Sequence, residues 1–509
     1  MFDRPIGYRG LDPDQSVLVH SGEIFIDGKL YDGHIGINAG KLLVELRSIE
    51  FPYPLNSFVL GYYHRNDGRV SILSFLRVTE VDRENIPGNF NILLSCHSIL
   101  TGPSLLDFNS AICKSVAVRF TDISDVIPFN GCISLISRPD KGLRDHIRET
   151  AGTDIAEGEI VKLAVMVAQR TFFNASSSEV AVRGGSTANI VEATNRIEWM
   201  YHPYLHISFR SPLDMNNVLW KVNNILQFFS LICGRPQHVE GMQLLMDEKG
   251  VVTPFDVLLP PRAREVAGAR PRISSRAMLV NPILDRTKFE KVFENWITTY
   301  SDWREARYRL SEIFEKEAEY GPSRLVMAAN MFEISPDYVK PSTSDVPNDI
   351  AEIITEARVK LKSLKDTFSR RQAYDALNLI TKVSLRQTVF ERIRVIPKDE
   401  LNKYAPNVRS VIVEANKMRN RFVHGKTAKS FPYEDKVSMV FFTLTLEFIF
   451  MCADLVQLGW SLAEWIESST ETEPRHPMRF YIDNYAGWYE SFGISYEQIY
   501  GKRPDIISP

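Results

Sequence analysis

Asn407-Val-Arg-Ser-Val-Ile-Val-Glu-Ala-Asn-Lys-Met-Arg-Asn-Arg-Phe-Val-His-Gly425 carries apolar residues at helical spacing and ends on a glycine able to close a helix. On a wheel with Val408 at zero, Ile412 falls at about 40°, Ala415 at about 340°, Phe422 at about 320° and Val423 at about 60°. They define one apolar stripe, the face that a helix buries in a bundle. Arg419, at about 20°, lies inside that stripe. A guanidinium aimed at an apolar interior needs an anionic or hydrogen-bonding partner, because an unpaired buried charge costs several kcal/mol. Asn420 and His424, at about 120° and 160°, are four residues apart and neighbours on one flank. Glu414, Lys417 and Arg421 fall on the polar side and read as ordinary surface.

Outward from this helix the period stays helical. Ile283–Phe314, Pro322–Phe332, Asp349–Phe368, Arg371–Phe390 and Glu434–Trp465 read as helices, with a polar loop over Tyr338–Asn348. Several helices with short loops make an all-α bundle. Val437–Trp460 is apolar almost all round and could be mistaken for a membrane span. It contains Glu447 and Asp454, and a carboxylate near a bilayer centre costs roughly 2.5–3.5 kcal/mol. The expectation is the central helix of a bundle, with no membrane partner. From residue 471 the chain is rich in aromatics, among them Tyr481, Tyr485, Trp488 and Phe492, and is expected to dock as an appendage.

Up to about Phe209 the pattern is different. Short β-rich runs alternate with turn residues: Gly22–Asp27, Lys41–Leu46, Phe58–Tyr63, Arg69–Leu73, Asn91–Leu94, Ser115–Phe120, Val161–Met166 and Leu205–Phe209. Asn66-Asp67-Gly68 marks a hairpin, since Asp-Gly supports the positive φ of a tight turn. Gly184-Gly185-Ser186-Thr187 lacks the lysine of a phosphate-binding loop and reads as a turn. Ser211-Pro212-Leu213-Asp214 reads as the start of a helix, with Ser211 as N-cap, running through Trp220 and Phe228-Phe229 to Gly234 and closing the core of the sheet. Pro260–Arg276 is proline-rich and basic and reads as a linker. The expected fold is therefore α+β and multidomain. It has an antiparallel β-sandwich-like domain with a packed helix over 1–260, a linker over 261–276, a helical domain over 277–470 and the appendage over 471–509.

Bulk composition narrows the function. At 509 residues the chain exceeds one ordinary core, and 44% hydrophobic with 24% charged residues is that of a globular protein. A formal net charge of −3 argues against coating nucleic acid by bulk positive charge, but a small phosphate site needs only a few placed cations. The five cysteines, Cys96, Cys113, Cys132, Cys233 and Cys452, are scattered and form no C-x-x-C pair, as expected of reduced, buried thiols in the cytoplasm. Met1-Phe2-Asp3-Arg4-Pro5 begins no apolar stretch, so no secretory signal is expected. His202 and His206 flank Pro203 in a strand pattern, which speaks against a helical metal pair, and His97 reads as a core histidine. No metal or other cofactor is expected.

The chemistry gathers at the end of the quoted helix. His424 sits in its last turn, where the dipole favours imidazolium by up to about 1 kcal/mol, and imidazole gives and takes protons near pH 6.5. Arg419, about 7.5 Å away along the axis by helical rise, is a permanent cation able to grip phosphate. A proton-transfer group beside a fixed cation suits RNA cleavage by its own 2′-hydroxyl. Spacing alone leaves open a capping histidine and a structural arginine.

Arg419-Asn420-x-x-x-His424 resembles the arginine–asparagine–three residues–histidine motif of HEPN domains, and it lies where that family puts it, before a long apolar helix. The whole chain resembles the ApeA group, anti-phage HEPN proteins with a β-rich N-terminal domain. That likeness rests on Arg196-Ile-Glu-Trp199, the helix Ser211–Cys233 closing in Cys233-Gly234-Arg235-Pro236, and the basic stretch beyond, and it spans most of residues 10–260. The resemblance implies a metal-independent endoribonuclease of bacterial defence, cytoplasmic and homodimeric or larger, with RNA as substrate and a phage-derived trigger at the N-terminal domain. It implies that Arg419 holds the scissile phosphate, His424 is general acid/base, and Asn420 orients one of them or the partner's motif. The family's further upstream polar residue has no assigned position here. The alternative is a non-catalytic nucleotide- or protein-binding module in which the motif only supports dimerisation. Since Arg419 and the Asn420–His424 pair lie on different flanks, a second copy of the helix is expected to complete the site.

Overall fold

The computed structural model describes the chain except residues 1–16, 27–28, 39–40, 49–58, 65–69, 75–76, 84–89, 97, 104–111, 129–131, 138–140, 152–155, 157–160, 167–168, 194–195, 249, 260–270, 317–318, 342–346, 381–382, 425–435, 470–474 and 501–509. The N-terminal stretch, the Asn66–Gly68 turn, His97, most of the basic linker and Gly425 therefore lie outside the described residues. The chain divides into two units, 1–222 with 238–272 and 223–237 with 273–509.

The first unit is antiparallel β. Among the described residues fourteen strands form one ladder, from Gln169–Ser176 at one edge to Arg77–Arg83 at the other, and Cys132–Ser137 pairs separately with Val161–Met166. Val59–His64 and Val70–Ser74 form the expected hairpin, with Val59 opposite Ser74. Cys113–Phe120 lies between Arg196–Leu213 and Val239–Glu248. Its consecutive residues Val116, Ala117 and Val118 are all buried, so both faces of the sheet are covered there. Two short helices, α1 (Ile123–Val126) and α2 (Lys141–Ala151), interrupt the strands. Gly184–Thr187 is no turn but part of the strand Val180–Ala193. Phe173 on the neighbouring strand packs over Gly184, where an added Cβ would lie 2.1 Å from its ring.

The helix α3 (Met215–Cys233) begins later than the sequence pattern suggests. Pro212 and Leu213 continue the strand, and the Asp214 carboxylate caps the helix by accepting from the Asn217 N–H at 3.0 Å. The expected stop holds: Gly234 has φ +68°, and a side chain there would collide with His476 and Pro477. From Asn223 onward α3 belongs to the second unit. Phe228 stacks on Phe293 at 4.6 Å and meets Phe289 and Trp296 edge-on or tilted, so these rings fill the helical core and not the core of the sheet. Each such ring contributes roughly 1.5–3 kcal/mol by burial.

The second unit is helical: α4 (Arg286–Glu315), α5 (Pro322–Glu333), α6 (Asn348–Ser363), α7 (Phe368–Ile380), α8 (Leu385–Val395), α9 (Lys398–Tyr404), α10 (Val408–His424), α11 (Lys436–Gln457), α12 (Leu462–Ser468) and α13 (Pro477–Tyr500). Two expected helices are each broken in two. Ser384 and Gln387 form a capping box that starts α8 afresh. Gly459, at φ +98°, ends α11, and Ser461 caps α12. α11 is the central element, packed against α5, α8, α10 and α13. By length and composition Val437–Gln457 could cross a membrane, and 89% of its most apolar 18-residue window is buried within the protein. Its two carboxylates are both paired: Glu447 accepts from Arg324 Nε at 2.8 Å, and Asp454 accepts from Arg307 Nε and Nη2 at 3.0 Å. On α13, Tyr481 and Tyr485 are buried against Phe441. Cys113, Cys233 and Cys452 are buried.

Candidate functional site

α10 reaches its position by burying one long face. Val408, Val411, Ile412, Ala415 and Met418 are fully buried, and the helix packs on α5, α8 and α11. Because three helices surround it, more than the apolar stripe is covered. Glu414, expected at the surface, is buried and paired with Lys417 at 2.7 Å. The stripe outruns the bundle at the other end: Phe422 and Val423, expected in the core, are 38% and 45% exposed. Val437, at the start of α11, is exposed as well.

Arg419 lies between these two regimes, with its side chain 12% exposed. Its guanidinium has the anionic partner that the wheel demands. Nη2 donates to both carboxylate oxygens of Glu333 at 2.8 Å and to Asn330 Oδ1 at 3.1 Å, both on the last turn of α5. Nη1 donates to Asn420 Oδ1 at 3.2 Å. Arg419 and Asn420 thus meet although their backbone positions are about 100° apart, because the long arginine side chain bends back over its neighbour. Asn420 is exposed. His424 closes the helix, and its side chain lies outside the described residues.

Asn330 and Glu333 were not singled out in the sequence, although a signal was there. Glu333 is the last residue of α5, where the negative end of the helix dipole disfavours a carboxylate. An acidic side chain there, one turn after Asn330, calls for a cation from elsewhere. α5 is itself fixed at its first turn, where Arg324 makes two hydrogen bonds to Glu447 and lies 4.3 Å from the Tyr320 ring. One buried ion pair therefore anchors the helix that carries both partners of Arg419.

The other histidines play different parts. His202 and His206 lie on the strand Arg196–Leu213, and burial together with nearby Arg183 lowers the pKa of His206. Among the described residues no three His, Cys, Asp or Glu side chains are grouped to hold a metal ion. His476 is buried, its Nε2–H donating to the Leu231 carbonyl at 2.8 Å and its Nδ1 accepting from the Met478 N–H at 3.1 Å.

A site of this shape can hold a phosphate oxygen. It has a fixed cation at the rim, an amide beside it and a histidine one turn further along the helix. Residues 177–296 match ApeA N-terminal domain 1, a span that includes α3 and the start of α4. Residues 326–464 match the Apea-like HEPN domain, and Asn330, Glu333, Arg419, Asn420 and His424 all fall within that span. Neither the curated proteins nor the solved structures contain a match to the chain. With the two matches together covering about half of its length, the chain belongs to the ApeA-like HEPN proteins, a family of anti-phage defence.

Proposed function

We propose that the chain is a metal-independent endoribonuclease whose site is completed by a second copy of α10. The observation that carries the reading is the state of Arg419: a permanent cation oriented by Glu333 and Asn330, touching Asn420, and left partly open at the rim. In this reading the RNA phosphate docks on the Arg419 guanidinium. A neutral His424 removes the proton from the 2′-hydroxyl, and O2′ attacks phosphorus to form a phosphorane whose charge Arg419 steadies. The P–O5′ bond breaks, and a protonated His424 supplies the proton to O5′. The products are a 2′,3′-cyclic phosphate and a 5′-hydroxyl. One histidine cannot be acid and base in the same step, and a pair of motifs supplies two.

The exposed Phe422 and Val423 support the pairing, since apolar side chains left open on the helix that carries a functional motif favour a protein partner. Asn420, exposed next to Arg419, is placed to bond either the substrate or the partner's motif. The N-terminal unit is the proposed sensor of the phage trigger. The test is incubation of the purified chain with total RNA in chelator, with product end groups identified. Cleavage with cyclic phosphate ends, lost in Arg419→Ala and His424→Ala, is expected; cleavage that requires a divalent metal would overturn the mechanism.

A further inference from the structure

α6 and α7 form a hairpin with almost no core of its own. Of the described side chains between residues 349 and 378, Ile354 alone is buried. A helical pair that buries so little carries its residues for reasons other than folding. Between residues 358 and 371 lie Arg358, Lys360, Lys362, Lys365, Arg370 and Arg371 against Asp366 alone, in a chain whose net charge is −3. Two of the six hold the hairpin together. Arg358 Nη2 donates to the Leu377 carbonyl at 3.1 Å; Arg370 Nη1 donates to the carbonyls of Lys362 and Leu364, both at 3.2 Å. Lys360, Lys362, Lys365 and Arg371 are exposed around the tip, and Phe368 stands among them with 70% of its surface exposed.

We infer that this tip is a substrate-binding arm for single-stranded RNA, an assignment that rests on the ribonuclease reading above. Charge complementarity names the occupant: clustered cations follow a phosphodiester backbone, and an exposed aromatic ring stacks on a base only where bases are unpaired. A protein partner fits less well, because the exposed Ile350, Ile353 and Val359 spread over about 180° of α6, with Leu364 beyond its end, and form no single apolar face. A second copy docking tip to tip would set like charges against each other.

The test uses the full chain carrying His424→Ala, a labelled single-stranded RNA oligonucleotide of mixed sequence, and fluorescence anisotropy over a range of salt. The combined Lys360→Glu, Lys362→Glu and Lys365→Glu variant is expected to bind at least about tenfold more weakly. Its slope of log affinity against log salt should be shallower by about 2, from about 0.7 per lost phosphate contact. Phe368→Ala should weaken binding about tenfold with the slope unchanged. Circular dichroism melts check that both variants stay folded. No binding by the parent, or equal affinity and slope in the charge variant, would overturn the assignment. So would a hairpin variant that alters oligomeric state by light scattering, or adhesion to anionic vesicles, while RNA binding is kept. The two readings fail separately: a hairpin variant that cleaves dilute RNA as well as the wild type removes the arm and leaves the nuclease, whereas hairpin-dependent binding in a chain that never cleaves does the reverse.

Discussion

Arg419 is held by residues from another helix, and that changes what the motif is. A free arginine near a histidine would sweep many positions, whereas one that donates to both oxygens of Glu333, and also to Asn330, is aimed in advance of any ligand. Glu333→Ala is expected to slow RNA cleavage about tenfold to a hundredfold. Glu333→Gln, which keeps the hydrogen-bond acceptor, should recover most of the rate and melt close to the wild type, whereas Glu333→Ala, which leaves Arg419 only Asn330 and Asn420, should melt lower, so rates are compared well below either melt. Equal rates in all three, measured at saturating RNA, would remove Glu333 from the site. The need for a partner was legible on the wheel, since a cation in an apolar stripe cannot stay unpaired. Its identity was not, because Glu333 lies 86 positions away and only tertiary packing brings it near. Glu414 misled for a related reason: a wheel shows one stripe, while three neighbouring helices cover more of α10 than that stripe.

At the scale of elements, buried charge does the fixing. The apolar helix α11 would pass for a membrane span but for Glu447 and Asp454, each met by an arginine from α5 or α4. Removing one partner of such a pair strands the other, so Glu447→Leu is expected to destabilise the helical unit by about 3–5 kcal/mol. The double variant Arg324→Leu with Glu447→Leu should regain most of that in urea melts; if it is as unstable as the single, the pair is not the cause. A second element carries a pH signature. Burial holds the His476 imidazole down at about 4, below its ordinary 6.5, so the folded state favours the neutral ring. Its contribution is therefore complete above pH 6.5 and is lost as pH falls toward 4, by about 3 kcal/mol over that window. Thermal melts of His476→Gln should show a flatter acid limb than the wild type. Identical limbs would contradict the assignment. Strand and helix runs were mostly legible from their periods, but the two helix breaks were not, because apolar spacing runs on through the capping residues Ser384 and Ser461. The ladder that sets Cys113–Phe120 between strands from residues 196–213 and 239–248 depends on long-range pairing that local pattern does not encode.

At the scale of the whole molecule, the proposed site requires two copies of the chain. Phe422 and Val423 continue the stripe of α10, a pattern that predicts core, yet they emerge beside the motif, where a second chain is proposed to cover them. Phe422→Asp should shift the protein toward monomer by light scattering and abolish cleavage while leaving helix content unchanged; an active monomer would refute the shared site. Whether Arg419 and His424 cut RNA without a metal, as proposed, is decided by a single comparison. Rates of RNA cleavage in excess chelator are compared for wild type, Arg419→Ala and His424→Ala, using protein shown to be dimeric. The wild type is expected to cleave and leave 2′,3′-cyclic phosphate ends, with the rate reduced at least about a hundredfold in each variant. Cleavage surviving in both variants, or appearing only when a divalent metal is restored, would contradict it.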